Sequence, residues 1–192
     1  MCVADQRIVS RNATIAKGAV VCKEAILKGD VTIGTGTVVH PKALIHGEAG
    51  PIVIGNNNII EEQVVIHNRP QPVAEGETAP KDKLTMEIGS SNVFEVGCRC
   101  ESLHIGDNNT LESKCHIGVK SAMTSGCVLG ACCHLTSQET LPENTVVFGE
   151  GNLRRVQGDK PTAPTLQLDF LTKILPNYHH LQTSQSAAPA TS

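Results

Sequence analysis

The sequence predicts an all-β solenoid, a parallel β-helix of about seven coils that is followed by one C-terminal α-helix. Three observations predict this fold. Aliphatic residues recur every six positions over long stretches, and a small or β-branched residue stands four positions after most of them. Aromatic residues make up only 2% of the 192 residues. A core without aromatic side chains is filled by Val, Ile and Leu, which suits a narrow and regular interior.

The repeat determines which side chains face inward. Residues two apart in a strand share a face, so each small residue and the next aliphatic residue point to the same side. The aliphatic series shifts register after Ile45, pauses after Ile66 and resumes at Ile88. Its members are Val9, Ile15, Val21, Leu27, Ile33, Val39, Ile45, Ile54, Ile60, Ile66, Ile88, Ile105, Leu111, Ile117, Met123, Leu129, Leu135, Leu141 and Val147. Glycine often follows the aliphatic residue, and we expect it to adopt a positive φ at the corners.

This pattern, an aliphatic residue followed by Gly and a small residue, resembles the hexapeptide-repeat left-handed β-helix family. The resemblance implies left-handed coiling with three sides and about 18 residues per coil. Stacking at that spacing places Val20 on Val38, and Ile26 on Leu44, with all four side chains pointing outward. Such apolar pairs either reflect ordinary β-propensity or form docking surfaces for another element or subunit.

The β-helix is expected to span residues 1–156. A projecting loop is predicted at 68–87, where charged residues and prolines interrupt the repeat. The stretch LPENTVVFGEGNLRRV, residues 141–156, is expected to form the closing coil. A proline-containing linker at 157–164 then separates the β-helix from the C-terminal segment.

A helix is predicted over residues 165–182, with Thr165 as its N-cap and a break or kink at Pro176. Its apolar residues recur at helical spacing, so one face is expected to lie on the β-helix. The residues predicted to anchor it are Leu168, Leu171, Leu175 and Tyr178. The polar tail, residues 183–192, is expected to be disordered.

Charge and composition narrow the function classes. The 16 Lys and Arg against 19 Asp and Glu give a net charge of -3, which does not indicate nucleic acid or acidic lipid as a partner. No stretch resembles a signal peptide or is apolar enough to span a membrane. The eight cysteines contain no CxxC pair, which favours reduced thiols and a cytosolic location. Cys98, Cys100, Cys115 and Cys133 are expected to point inward as small hydrophobic residues.

His67 is the first candidate for metal chemistry. The run VVIH resembles γ-class carbonic anhydrases, in which such a histidine is one of three imidazole ligands of zinc. The resemblance implies two further histidines about one coil later, but the chain has Cys98, Arg99 and Cys100 there. Catalytic zinc requires three converging protein ligands and an open position. We therefore expect no metal and no cofactor, and interpret His67 as the corner residue before the projecting loop.

The other histidines do not complete a site in the sequence pattern. His40 and His46 are six residues apart and are expected at different corners of one coil. His116 and His134 are 18 residues apart and are expected to stack on the outer surface, without a third ligand.

Acyl transfer is the second activity considered, because enzymes that resemble this repeat catalyse it. Such catalysis needs a general-base histidine on a loop and a groove for the acyl carrier. The predicted loop at 68–87 contains no histidine, and the chain has GEGNLRRV after the last repeats instead of the VPAK-type stretch of those transferases. Zinc hydration and acyl transfer stay as alternatives to a non-enzymatic role.

Several motifs carry a more specific resemblance. They are GDVTIG, AGPIVIG, GNNNIIEEQ, NVFEVGC, TSGCVLGACCHL, LPENTV, LRRVQ and TLQLDFLTKILPNYHHL. Together these stretches, from about residue 17 to residue 182, resemble the dynactin subunit 6 family. The last is the most specific of them, because it lies outside the hexapeptide pattern.

The resemblance implies a non-catalytic scaffold subunit in the pointed-end complex of dynactin. Its implied partners are dynactin subunit 5, dynactin subunit 4 and an actin-related protein, with dynein contacted indirectly, and its implied location is the cytoplasm on the microtubule cytoskeleton. Family members in vertebrates carry a proline-directed phosphorylation site in the tail, whereas this chain has no Ser-Pro or Thr-Pro. We expect the Val20/Val38 and Ile26/Leu44 sides to be divided between the C-terminal helix and a partner subunit.

Overall fold

The computed structural model describes residues 13–70, 83–159 and 162–183. These residues form a left-handed parallel β-helix of about seven coils with a single C-terminal helix, which confirms the predicted fold class. Short strands stack in three sheets, named here the first, second and third sides.

The first side stacks β1 (Ala13–Ile15), β4 (Val31–Ile33), β7 (Ile52–Ile54), β10 (Met86–Ile88), β13 (His104–Ile105), β16 (Ser121–Met123) and β19 (Glu139–Leu141). The second side stacks β2 (Val20–Val21), β5 (Val38–Val39), β8 (Ile59–Ile60), β11 (Val93–Phe94), β14 (Thr110–Leu111), β17 (Val128–Leu129), β20 (Thr145–Phe148) and β21 (Leu153–Val156). The third side stacks β3 (Ile26–Lys28), β6 (Leu44–Gly47), β9 (Val65–Asn68), β12 (Arg99–Cys100), β15 (His116–Ile117) and β18 (His134–Leu135).

The interior contains the predicted aliphatic series. From Val21 to Val147 every described member of the series is buried, and they belong to one continuous core cluster. Ile15 at the first coil is only partly buried, and Val9 lies outside the described residues. Phe94 and Cys100 complete the series between Ile88 and Ile105, where the repeat shifts register. Each short strand is stable because it shares this core with the coils above and below.

A ladder of buried asparagines supports one corner of the interior. The Asn58 side-chain oxygen accepts a hydrogen bond from the Asn92 backbone N–H at 2.9 Å, and Asn92 does the same for Asn109 at 2.8 Å. The Asn109 side chain then accepts from the Cys127 backbone N–H at 2.8 Å. The ladder gives buried backbone donors a partner where the chain turns between sides.

The expected role of the corner glycines is wrong. Gly34, Gly55, Gly89, Gly106, Gly118 and Gly130 follow inward aliphatic residues, yet none has a positive φ. Instead, at five of these six positions successive coils approach too closely for a side chain: a Cβ on Gly34 would lie 2.4 Å from the Gly55 carbonyl oxygen, whereas a Cβ on Gly118 would meet its nearest atom at 3.4 Å. Positive φ occurs at other turn positions, for example at Gly36 and Asn57. Close approach, and not a left-handed backbone, is the reason for glycine after the aliphatic residue.

Two predicted boundaries of the β-helix change. The interruption predicted at 68–87 is shorter, because β9 includes Asn68 and β10 begins at Met86, and its residues 71–82 lie outside the described residues. The predicted closing coil is wrong, because β21 runs antiparallel to β20 and forms a hairpin with it. The turn at 149–152 has a positive φ at both Gly149 and Asn152, which reverses the chain.

The C-terminal helix, α1 (Thr165–Tyr178), is shorter than predicted. Pro164 takes the cap position, so Thr165 is the first helical residue and not the N-cap. Pro176 lies inside the last turn, where it has no N–H to donate to the Thr172 carbonyl, and the helix ends two residues later at Tyr178. Of the predicted linker 157–164, residues 157–159 and 162–163 lie outside strands and helices, and 160 and 161 are outside the described residues. The tail beyond residue 183 is outside them as well.

The residues after α1 return to the first coils in an extended conformation. Leu181 forms an isolated antiparallel bridge with Cys22. The Lys23 N–H donates to the His180 carbonyl at 2.7 Å, and the Gln182 N–H donates to the Val21 carbonyl at 2.8 Å. These hydrogen bonds fix the C-terminal segment across the edge of the second side.

Candidate protein interface and a histidine cluster

The outward side chains of the second side are covered by α1. Val20 and Val38 stack in register, and Val38 stacks on Ile59. These three residues form a separate buried cluster with Leu168 and Leu175 of the helix, and Val38 and Ile59 are 0% exposed. We name this cluster, together with Cys22, the covered side. Its apolar column is therefore a second core, outside the coils.

The helix meets this column with part of the predicted face. Leu168 and Leu175 are buried, and Leu171 packs against them while partly exposed. Tyr178 is 77% exposed, so its predicted anchoring role is wrong. It is the last helical residue, and from His180 onward the contact with the β-helix is made by hydrogen bonds of the backbone and of the Gln182 side chain. Ile174, which the sequence pattern did not single out, packs against the cluster instead.

The third side carries a similar apolar column that the helix does not reach. Ile26 pairs with Leu44, and Leu44 pairs with Val65, so three aliphatic side chains point outward in register. Ile26 is 45% exposed, and Leu44 and Val65 are partly buried. We name Ile26, Leu44 and Val65 the open column. The same ladder continues into polar residues, because Val65 pairs with Arg99.

The outer face of α1 exposes two apolar side chains beside the polar residues Lys173 and Asn177. Leu166 is 87% exposed and Phe170 is 58% exposed, four residues further along the helix. Both lie on the face opposite Leu168 and Leu175, because residues two apart differ by about 200° around a helix. The helical spacing of Leu166 and Phe170 was a signal in the sequence that the anchoring prediction missed.

A buried carboxylate organises the polar half of the third side. Glu101 is 2% exposed, and its oxygens accept from Arg99 at 2.6 Å and from Arg69 at 3.0 Å. His116 Nε2 lies 3.4 Å from the same carboxylate. Burial alone raises the pKa of Glu101, but the Arg99 hydrogen bond and the charges of Arg99 and Arg69 outweigh it and lower the pKa. Glu101 is therefore ionised and paired.

His67 has companions that the sequence reasoning missed. His46 on β6 pairs with His67 on β9, and their rings stack with centroids 4.8 Å apart and planes 9° apart. The His67 Nε2 lies 2.7 Å from Oε2 of Glu48. Ligand atoms of His46, Glu48 and His67 all lie within 4.8 Å of one another. The sequence prediction placed the companion histidines in the coil after His67, whereas the register shift brings His46 of the preceding coil beside it.

The position of His67 also differs from the prediction. It belongs to strand β9 and not to a corner, and its side chain is 19% exposed. The pKa of His46 is lowered, first by burial and then by the neighbouring His67, while Glu48 acts in the opposite direction. His46 is thus held towards its neutral form.

The remaining candidates behave as surface or packing residues. His116 and His134 stack in register on the outside, with ring centroids 6.1 Å apart in an edge-to-face arrangement. Cys98, Cys100, Cys115 and Cys133 are buried and free. Burial raises the pKa of the Cys100 thiol to about 12, and a hydrogen bond with Cys115 and burial raise that of Cys98. Such thiols fill space and are poor nucleophiles.

Comparison with solved structures defines the class of protein. A Bacillus cereus protein assigned as an acetyltransferase superposes with a TM-score of 0.60 at 18% identity, covering 84% of this chain and 86% of that one. A hexapeptide transferase family protein from Anaplasma phagocytophilum gives 0.53 at 18% identity, covering 86% and 88%. At this identity the likeness concerns the fold, so the chain is a hexapeptide-repeat left-handed β-helix protein.

Sequence relatives are more specific. The chain is 56% identical over 182 residues to dynactin subunit 6 of Nematostella vectensis, covering 95% of this chain and 98% of the relative. It is 57% identical to that of Xenopus tropicalis, covering 89% and 85%, and 54% identical to that of Danio rerio, covering 95% and 94%. No family model matches the chain. The chain belongs to the dynactin subunit 6 family. Among the described residues, no helix is long and apolar enough to cross a membrane.

Proposed function

We propose that the chain is a non-catalytic structural subunit of dynactin that acts through protein–protein contacts. The observation that carries this proposal is the open column, an outward apolar ladder of the same kind as the one that α1 covers. Ile26 is 45% exposed at one end of it, and Leu44 and Val65 continue it in register. An outward apolar column that no element of the chain covers is typical of a surface that is buried in an assembly.

The outer face of α1 supports the same proposal. Leu166 and Phe170 expose a leucine and an aromatic ring on a helix that is already packed on its other face. A few side chains near the centre of a contact, often aromatic, supply most of its binding free energy. The open column and this helix face are therefore the two surfaces on which we expect partner subunits.

Family membership suggests the partners. We expect dynactin subunit 5, a related β-helix, as a direct partner within the pointed-end complex, with dynactin subunit 4 and an actin-related protein as further neighbours. Through dynactin the chain would support dynein-driven transport of cargo along microtubules in the cytoplasm. We expect no nucleic acid and no inserted membrane segment among its contacts.

The two enzymatic alternatives make different demands on the residues. A γ-class hydratase uses three imidazoles, whereas the cluster at His67 has two imidazoles and one carboxylate. Acyl transfer needs a basic histidine beside a groove for the acyl carrier. The similarity to transferase structures is limited to the fold, and a fold alone does not identify a reaction.

A binding experiment on matched surface variants tests the proposal. The full chain, as wild type, as Ile26→Glu/Leu44→Glu or as Val53→Glu, is mixed with purified dynactin subunit 5. Val53 is 42% exposed on the first side and is matched in exposure to Ile26. We expect the double variant to lose at least tenfold in affinity for subunit 5 or for the assembled pointed-end subunits, and Val53→Glu to bind as the wild type.

Two further measurements complete the test. Unchanged thermal unfolding of each variant shows that the loss reflects contact and not folding. Phe170→Glu, which changes the outer face of α1, assigns that face in the same way. Wild-type affinity in both the Ile26→Glu/Leu44→Glu variant and the Phe170→Glu variant would remove the basis of the proposal.

A further inference from the structure

The cluster of His46, Glu48 and His67 on the third side has no role in the proposed assembly. Its histidines come from neighbouring strands whose register aligns them residue by residue. Glu48 follows β6 by one residue, and its carboxylate already faces the His67 imidazole at 2.7 Å. Three potential ligand atoms within 4.8 Å of one another need only small side-chain rotations to converge on one ion.

The donor set indicates which ion. Two imidazole nitrogens and one carboxylate oxygen form a ligand set that binds zinc in proteins, with a fourth position left for water or another donor. Calcium and magnesium prefer sets made of oxygen atoms, so they fit this cluster poorly. The imidazoles are partly buried against the β-helix, which limits their freedom and reduces the cost of ordering them around an ion.

The flanking strands place charges that oppose a cation, Lys28 on β3 and Arg99 on β12, of which Arg99 is paired with Glu101. Lys28 on β3 pairs with His46, so its side chain lies on the same outward column. The carboxylate of Glu48 offsets this charge at the cluster.

We propose that His46, Glu48 and His67 form a binding site for one zinc-type transition-metal ion, held by two imidazoles, one carboxylate and water. An ion at this place would link β6 and β9 at the point where the chain leaves β9 towards the segment before β10. The site is structural, and the proposal is independent of which subunits the chain contacts.

The test uses untagged full-length protein that has been stripped with a chelator and carries Cys2→Ser and Cys132→Ser, because exposed thiols also bind zinc and Cys132 is exposed. Zinc is titrated by calorimetry and counted by elemental analysis. We expect one ion per chain in this background. His46→Ala and His67→Ala are each expected to weaken binding by at least about tenfold, as removal of a metal ligand does.

His134→Ala is the matched control, because His134 also stacks on a histidine of the adjacent strand, at 6.1 Å, but outside the cluster. We expect it to bind zinc as the background does. Lys28→Gln is expected to tighten binding a few-fold by removing the opposing charge. Glu48→Gln is expected to weaken it, with the imidazoles still present.

Cobalt(II) provides a readout that does not depend on whether the His46, Glu48 and His67 variants fold. Bound to the background protein, it should give the visible absorption of a four- or five-coordinate nitrogen and oxygen site, without the near-ultraviolet charge-transfer band of a thiolate ligand. Absence of a stoichiometric ion, a thiolate band, or equal loss of zinc in the His134→Ala control would each overturn the assignment.

Discussion

The covered side and the open column show how the same local sequence pattern reaches two different environments. Val20 and Val38 on one, and Ile26 and Leu44 on the other, are outward aliphatic pairs one coil apart in register. The first pair is 7% and 0% exposed, whereas Ile26 is 45% exposed. Within the described chain, α1 packs on the covered side and contributes no residue to the open column. An outward apolar ladder in the sequence therefore indicates a surface that is covered by something, but it does not identify the covering element.

Removal of the helix is expected to have the largest effect on stability. Truncation after residue 160 uncovers Val20, Val38 and Ile59 and removes Leu168 and Leu175 from their buried positions. Two buried leucines contribute roughly 3–6 kcal/mol to burial. We expect the unfolding midpoint to fall by on the order of 10 °C, measured by calorimetry.

Truncation after residue 183 is the control for that experiment, since it keeps Gln182 and its hydrogen bonds to the first coils. Its midpoint should equal that of the full chain. If the chain truncated after residue 160 unfolds at the same midpoint as the full chain, packing of the helix on the covered side contributes no stability.

A charge on each ladder sharpens the comparison. Val38→Asp buries a carboxylate under α1, and we expect a cost of about 3 kcal/mol or more in the free energy of unfolding. Leu44→Asp lies on the open column and should lower the free energy of unfolding by no more than about 1 kcal/mol. Because the introduced carboxylate can be solvated if the helix detaches, the cost of Val38→Asp is limited by the free energy of helix docking.

Denaturant unfolding of both variants measures this difference. In the background truncated after residue 160, Val38→Asp should become as mild as Leu44→Asp, because nothing then covers either position. A similar cost of Val38→Asp with and without the helix would show that the substitution acts on the coils themselves.

The fold was largely predictable because the repeat is a local pattern. Each inward position is set by strand parity and the six-residue spacing, and both appear directly in the sequence, as Ile54 and Ile60 illustrate. The hairpin of β20 and β21 was not predicted. Leu153 of β21 stands six residues after Val147 and so continues the repeat spacing, whereas the reversal depends on the backbone conformation at Gly149 and Asn152.

The histidine cluster shows a different limit. The neighbour of His67 in space depends on how many residues each coil contains, and β6 and β9 are separated by a longer coil than the repeat length implies. With the shift after Ile45 counted, His46 and His67 align in the sequence. The Glu48 contact follows from side-chain conformations, which the repeat does not determine.

Glu101 provides the pH dependence of the third side. Its folded pKa is lowered, so the stabilisation that it contributes is present above its unfolded pKa of about 4.3 and is lost as the pH falls through the folded value. We expect Glu101→Gln to cost about 1 kcal/mol near pH 7, since Arg99 and Arg69 are half exposed and screened by water.

The pH dependence of unfolding for wild type and Glu101→Gln measures this contribution. The difference between the two should be constant near pH 7 and should shrink as the pH falls below about 4.3. A difference that grows on acidification would contradict the assigned direction of the pKa shift.

Tyr178 is expected to have the smallest effect of all, although it continues the apolar spacing of α1. Tyr178→Ala should change the free energy of unfolding by less than about 0.5 kcal/mol, because the ring is 77% exposed at the end of the helix. Leu175→Ala, one turn earlier and buried, should cost about 2 kcal/mol or more. If Tyr178→Ala instead weakens binding of a partner subunit while stability is unchanged, the ring belongs with Leu166 and Phe170 to a surface that assembly covers, and the helical spacing records two contacts and not one.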